Sequence, residues 1–277
     1  MALYDIEPLQ RRIVEILKAV DETCRRHGLR YYITAGTMLG AVRHGGFIPW
    51  DDDLDICMPR PDYDRLIKHS NEWLPAPFEM KCAENDPLYP LPFAKIQDAS
   101  TTLIERPHLP YLGGIYIDVF PIDGVPENPL RRRMHFAAHE FWKRTLYFIY
   151  RDPYKHGRGP SSWLPLLARR LFTRAKVQQK LRGLMTRYPY DDARLAADYD
   201  DGLRGVMEKG VWGEPTPVPF GKCTFMGYEH PHTYLSRKYG DYMIVPPGDH
   251  RRQHNFHYLD LDHPYRNFKG KVGIERD

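Results

Sequence analysis

Four aspartates crowd one short stretch, IPWDDDLDIC, where Asp51, Asp52, Asp53 and Asp55 are set among apolar Leu54 and Ile56. In an extended strand, side chains two residues apart share a face. Asp53 and Asp55 then point the same way while Leu54 and Ile56 pack behind them, and Asp51 joins that face if the strand begins early enough. Carboxylates set side by side repel one another unless a cation lies between them. A hard divalent ion is the simplest such cation, because it prefers carboxylate oxygen, and magnesium keeps room for water and phosphate oxygens. An acidic run by itself is more often a solvated turn. The alternation with apolar residues turns the balance here toward a metal–phosphate site.

Other residues suit the same chemistry. Gly36-Thr37 follows Tyr31, Tyr32 and Ile33, the start of a buried strand, and precedes a short helical stretch to Val42. Unhindered N–H groups and a hydroxyl near a helix start favour phosphate oxygens. The basic turn Arg43-His44-Gly45-Gly46 comes next. Downstream, Asp118 lies in GGIYIDVFPIDGVP among Ile115, Ile117, Val119 and Phe120. An ionised carboxylate in so apolar a strand is costly without a base or a metal beside it. Asp123 reads as the cap of a turn before Gly124. Lys95, on a predicted strand over 93–105, either guards a sheet edge or contacts phosphate.

GTMLGAVRHGGFIPWDDDLDI, residues 36–56, resembles the signature of the LicD family over its whole length and is similar to that of the fukutin and fukutin-related branch. The resemblance implies transfer of phosphocholine or a related phospho-group from a CDP-activated donor to a glycan or lipid-linked glycan. It also implies a polymerase-beta-like nucleotidyltransferase core, an α+β fold with a mixed sheet flanked by helices. In that pattern Asp53, Asp55 and Asp118 are the metal ligands, for Mg²⁺ or Mn²⁺. Gly36 and Thr37 receive phosphate, and Arg43, His44 and Lys95 are candidates to stabilise the leaving nucleotide. The general base is left open among Asp51, Asp52 and the three ligands. Two alternatives stand beside this one: a nucleotidyltransferase that passes NMP from an NTP to a small acceptor, and a non-catalytic glycan- or membrane-binding protein. Choline recognition calls for aromatic faces. Nothing in the spacing selects them among 19 tyrosines and five tryptophans, though Trp50 lies closest to the aspartates.

These residues need a scaffold, and the apolar spacing supplies one. Ile6, Leu9, Ile13, Ile16, Leu17, Val20 and Cys24 recur at helical steps across 5–27, with Gly28 as a stop. Pro59-Arg60-Pro61 breaks the chain, and Asp62 is placed to cap a helix bearing Tyr63, Leu66 and Ile67. Residues 78–83 and 93–105 read as strands. Helices are predicted over 130–150, 163–187 and 191–209, separated first by a Gly/Pro/Ser-rich loop at 151–162. Three prolines (Pro215, Pro217, Pro219) exclude helix before a short strand or hairpin at 220–228. The predicted organisation is a catalytic core over 1–128, a basic helical insertion over 129–210 and a C-terminal segment, 211–277, that completes the core. His250, His254 and His257 lack the Cys or Glu support of a metal motif and read as neutral packing or phosphate contacts.

With 42% hydrophobic and 13% aromatic residues, the chain has the composition of a folded globular protein. Its four cysteines are scattered without a C-x-x-C pair, which argues against structural zinc; Cys24 and Cys57 read as buried thiols of a reducing compartment. MALYDIEPLQRR has no apolar core of a signal peptide, so a cytoplasmic protein is expected. Between Arg131 and Arg187 there are fifteen basic residues and two acids, Glu140 and Asp152, leaving 25 basic and 34 acidic residues elsewhere. Such asymmetry points to a polyanionic glycan or an anionic membrane surface at the inner face rather than to nucleic acid. Residues 163–187, with Trp163 and leucines opposite arginines, have the make-up of an interfacial helix.

Overall fold

The computed structural model describes residues 5–273 except 156, 249, 250, 252 and 255. The chain runs through α1 (Ile6–His27), β1 (Tyr32–Ile33), α2 (Ala35–His44), β2 (Asp55–Pro59), α3 (Arg60–Trp73), β3 (Phe78–Lys81), β4 (Ala94–Asp98), β5 (Thr102–Ile104) and β6 (Tyr116–Gly124). Then come α4 (Pro129–Tyr150), α5 (Pro160–Leu171), α6 (Arg174–Met185), β7 (Leu195–Asp198) and β8 (Val206–Glu208). The last elements are α7 (Lys209–Trp212), β9 (Thr216–Phe220), β10 (Cys223–Gly227), α8 (Pro231–Tyr239) and β11 (Tyr258–Asp260).

A mixed sheet in the order β1-β2-β6-β4-β3 carries the molecule, with β7 and β8 added beside the end of β6. β2 and β6 are parallel and the other pairs antiparallel. α1 forms as its spacing predicts, between an Asp5 cap that accepts from the Glu7 N–H and a left-handed Gly28. Its apolar face, Leu9 to Cys24, lies on the sheet over β4 and β6. Cys24 and Cys57 are buried thiols.

Several local expectations give way to tertiary structure. Residues 163–187 make two helices, because Thr173 starts α6 anew. The helix predicted over 191–209 is instead β7, a 3₁₀ turn and β8: Gly202 turns back with φ 62°, and β7 pairs with β6 from Ile122 to Gly124. Strand pairing there outweighs helix propensity, and the central sheet takes two strands, β7 and β8, from within 129–210. Asp62 does not cap α3; it lies inside the first turn and takes a 2.7 Å hydrogen bond from Arg30 Nε. Asp123 caps no turn either. It sits buried in β6, bound by Arg60 through Nε at 2.8 Å and Nη2 at 2.6 Å. A buried carboxylate needs such a partner.

The main core fills the space between the sheet, α1, α2 and α8. Smaller clusters, Phe136–Met185–Tyr199 and Leu146–Val177–Leu181, hold α4 and α6 to each other and to the sheet. α5 is unlike either. It buries only Ser162, Pro165 and Ala168, while Trp163, Leu164, Leu167 and Leu171 are more than half exposed.

Candidate active site

β2 begins only at Asp55, so Asp51–Leu54 form an irregular approach to the strand rather than the strand itself. The shared face expected of Asp53 and Asp55 is therefore built by neighbouring strands. Asp55 is the register partner of Asp118 on β6, and Asp118 is the partner of Lys95 on β4. Cross-strand partners lie side by side on one face, so Asp55, Asp118 and Lys95 stand in a row across three strands. Because β4 is flanked on both sides, Lys95 guards no edge. Its ammonium donates to Glu105 at 2.9 Å and lies 3.8 Å from Asp118 Oδ1.

The carboxylates are too close and too dry to ionise easily. Burial, together with repulsion from Asp53, Asp118 and Asp51, raises Asp55 well above its ordinary range. Burial raises Asp118 to about 7 and Asp51 to about 8, and Asp53 is raised in the same direction. Glu105 goes the other way: despite its burial, Lys95 and the Tyr116 hydroxyl hold it down to about 2. Among the described residues, Asp118 Oδ1 is a buried acceptor with no hydrogen bond. Surplus negative charge around an orphaned carboxylate oxygen is the setting a hard cation fits.

The start of α2 is arranged differently from the expectation. Gly36 and Thr37 lie within the helix's first turn. The Thr37 hydroxyl accepts from the Asp55 N–H at 2.7 Å, which fixes the start of β2. Any Cβ at Gly36 would approach Asp51 Oδ2 to 3.0 Å, so this glycine lets the Asp51 carboxylate lie against the helix start. Preceding them, Ala35 has φ 46°, a strained value for a residue with a Cβ. Arg43 is drawn away, donating to the carbonyls of Tyr242 and Ile244, and His44 meets Arg43 and the edge of Trp50. Neither joins the carboxylate row.

Two residues reach the site from far along the chain. His254 Nδ1 lies 2.7 Å from Asp52 Oδ1, and its backbone N–H donates to Asp52 Oδ2 at 2.8 Å. The bond to Asp52, reinforced by Asp53, raises the imidazole to about 9 and makes it cationic, which corrects the neutral-packing expectation. His250 lies outside the described residues, and His257 pairs through its backbone N–H with the Ile104 carbonyl. Lys238 on α8 bonds Asp201 at 2.6 Å and also offsets charge at Asp55. No local spacing could reveal either residue, because 202 positions separate His254 from Asp52 and 183 separate Lys238 from Asp55.

The pattern described as "LicD/FKTN/FKRP, nucleotidyltransferase domain" matches residues 28–128, which hold every carboxylate of this row. The chain carries a LicD-family domain. Over 255 residues it is 28% identical to the lipopolysaccharide cholinephosphotransferase LicD of Haemophilus influenzae, covering 87% of this chain and 92% of that protein. A shorter stretch of 47 residues, 14% of the chain and 10% of the relative, is 45% identical to the human ribitol 5-phosphate transferase FKRP. An uncharacterised Rickettsia prowazekii protein matches 50 residues at 44% identity, 18% of this chain and 19% of its own. Outside the LicD-family domain, the Haemophilus relative extends the likeness through the helical segment toward the C-terminal elements.

Proposed function

We propose that this protein is a phosphotransferase that moves a phospho-group, phosphocholine first among them, from a CDP-linked donor to a glycan or lipid-linked glycan of the cell envelope. The likeness to a lipopolysaccharide cholinephosphotransferase over most of both chains supports the reaction class. The observation that carries the chemistry is the row Asp55–Asp118–Lys95, with Asp53 beside it. We read the core as polymerase-beta-like, with Asp53, Asp55 and Asp118 holding Mg²⁺ or Mn²⁺. Bound there, the ion would neutralise donor phosphates and polarise the bond to be broken.

The chain's own residues do the rest. Lys95 keeps positive charge beside Asp118 while Glu105 fixes the direction of its ammonium. Asp52 orients His254, which lines the cavity next to Asp118, so a cation stands where transferred phosphate oxygens gather charge. Among the described residues, Asp52, Asp53 and His254 form a tight trio of ligating atoms within 4.8 Å. The hydrogen bond between Asp52 and His254 occupies two members of that trio, so we assign the third, Asp53, to the ion together with Asp55 and the orphaned oxygen of Asp118. Asp51, lying against the α2 start, adds its carboxylate to the charge around the row.

No helix among the described residues is long and apolar enough to cross a membrane. The outward hydrocarbon of α5 and the exposed Arg133, Arg170, Lys176 and Lys180 suit peripheral docking on an anionic surface. The test of the reaction is incubation with Mg²⁺ and a panel of CDP-alcohols and NTPs. CMP released from CDP-choline is the expected product. Pyrophosphate released from an NTP instead assigns the protein to nucleotidyl transfer, and no turnover of any donor assigns it to non-catalytic binding.

A further inference from the structure

Both backbone groups of Asp55 are held by one turn at the start of α2. The Thr34 N–H donates to the Asp55 carbonyl at 3.0 Å, and the Asp55 N–H donates to Thr37 Oγ1 at 2.7 Å. Within the same turn, Gly36 leaves room for the Asp51 carboxylate. If the turn shifts, the site's carboxylates shift with it.

That turn is strained and is held from outside. Ala35, with φ 46°, takes a left-handed conformation that a Cβ makes costly. The hold comes from α8, about 200 positions away. The Ala35 N–H donates to the Tyr234 hydroxyl at 3.2 Å, and the same hydroxyl meets Thr34 Oγ1 at 2.9 Å. One oxygen thus bridges the strained residue and its predecessor. Thr34 Oγ1 also accepts from the Tyr228 hydroxyl at 2.6 Å, which in turn meets Cys57 Sγ at 3.0 Å. Cys57 lies two residues beyond Asp55 on β2, so the chain of polar groups returns to the strand it started from. Thr34, Cys57, Tyr228 and Tyr234 are all buried. Away from water, such a network keeps its members in one arrangement, because none has a solvent partner to exchange for.

We propose that Tyr234 is a positioning residue for the transfer reaction: its hydroxyl clamps the strained Ala35 turn and, through that turn, sets Asp55 in the carboxylate row. Its effect on turnover rests on the phosphotransferase reading above. Its effect on the turn rests on the hydrogen bonds alone.

The test is Tyr234→Phe, made both in the parent and in an Ala35→Gly background, where glycine takes a left-handed φ without strain. Phenylalanine removes the hydroxyl and keeps the ring against Tyr228 and Lys238. Two quantities are measured: CMP release from CDP-choline with Mg²⁺, and hydrogen exchange in peptides covering 34–37 and 55–57, with 94–98 on β4 as control. In the parent background, Tyr234→Phe is expected to lower kcat about tenfold and leave KM within about twofold. Exchange over 34–37 and 55–57 should quicken about tenfold, with 94–98 unchanged. In the Ala35→Gly background the same substitution should cost no more than about twofold by either measure. Equal losses in both backgrounds overturn the clamp, because the tyrosine then acts by a route other than the strain. Unaltered exchange in Tyr234→Phe overturns it too, as does a loss confined to KM. If Tyr234→Phe also loosens 94–98, Thr34→Val decides by the same two measurements, since it removes the hydroxyl that Tyr234 meets and keeps the tyrosine. A parent that releases no CMP, with exchange behaving as expected, keeps the clamp and removes the proposed reaction. Turnover by the parent with exchange unaltered in the variants does the reverse.

Discussion

Asp55, Asp118 and Lys95 stand in one row across three strands, with Lys95 only 4% exposed, while Trp163, Leu164 and Leu167 on α5 are 68%, 58% and 51% exposed. One region takes charge out of water and the other leaves hydrocarbon in it. Both arrangements oppose folding, since buried carboxylates resist ionisation and exposed apolar surface forgoes burial worth about 25 cal/mol per Å². Most of the chain obeys the ordinary rule, as the α1 face and the Phe136–Tyr199 cluster do. The two departures are therefore the places to look for partners: a cation and phosphate for the first, a lipid surface for the second.

The far end of β6 offers an internal control for the first region. Asp123 is as buried as its neighbours, yet Arg60 meets both its oxygens, whereas Asp118 Oδ1 has no hydrogen bond among the described residues. Matched and unmatched carboxylates on one strand should respond oppositely to substitution. Arg60→Met strands the Asp123 charge and is expected to cost about 3–5 kcal/mol in urea unfolding. Adding Asp123→Leu should restore much of that loss. Next in size is Asp55→Asn, expected to lower transfer by on the order of a hundredfold or more. Without metal, the same change relieves repulsion and should raise stability by on the order of 1 kcal/mol. A fall in melting temperature of the metal-free Asp55→Asn protein, measured beside CMP release, would make Asp55 an ordinary structural residue and collapse the contrast.

How much of this was legible beforehand follows from the range of the interactions. Asp55 and Asp118 could be put on strands because each lies in a local hydrophobic frame that makes a carboxylate conspicuous, whereas Asp53 lies in the irregular approach to β2. α1, α4 and the β9–β10 hairpin were legible for the same reason: periodicity, caps and prolines are local signals. What stayed hidden depended on contact between distant segments. His254 becomes cationic only because Asp52 meets it from 202 positions away, and residues 195–198 become a strand only because the end of β6 is there to pair. Arg43 looked free to hold phosphate, but the carbonyls of Tyr242 and Ile244 claim it. The charge count of 131–187 also overstated the free positive field. Arg182 binds Asp64 and Glu84, Lys143 binds Asp200, and Arg144 binds Glu140.

The helical region also buries ionisable groups, and one of them, His139, gives a smaller effect. His139 packs against Tyr199, and burial, with Lys143 and His135 adding to it, lowers its pKa to about 4. A histidine depressed in the folded state is protonated first in the unfolded chain. Stability therefore falls as pH drops from about 6.5 toward about 4, by roughly 3 kcal/mol over that window. His139→Gln should flatten this part of the profile relative to the parent in urea titrations at pH 7, 5.5 and 4. Identical slopes would show that the site protonates without cost.

The smallest effect on the fold is expected where the apolar surface is largest. Trp163 and Leu167 lie one helical turn apart on α5, which buries Ser162, Pro165 and Ala168 and donates from Arg169 to the carbonyls of Ile149 and Arg151. A double change, Trp163→Ser with Leu167→Ser, removes hydrocarbon that nothing among the described residues covers, so stability should move by no more than about 0.5 kcal/mol. Binding to anionic vesicles should respond quite differently. The parent is expected to sediment with phosphatidylserine-containing vesicles at low salt and less at high salt, because exposed Arg170 and Lys176 act through a screened field. The double variant should lose most of that binding while keeping its melting temperature and its release of CMP from soluble CDP-choline. If it binds vesicles as the parent does, α5 is not the docking face. If instead its melting temperature falls by many degrees, the α5 hydrocarbon belongs to the core after all, and the contrast with the carboxylate row disappears.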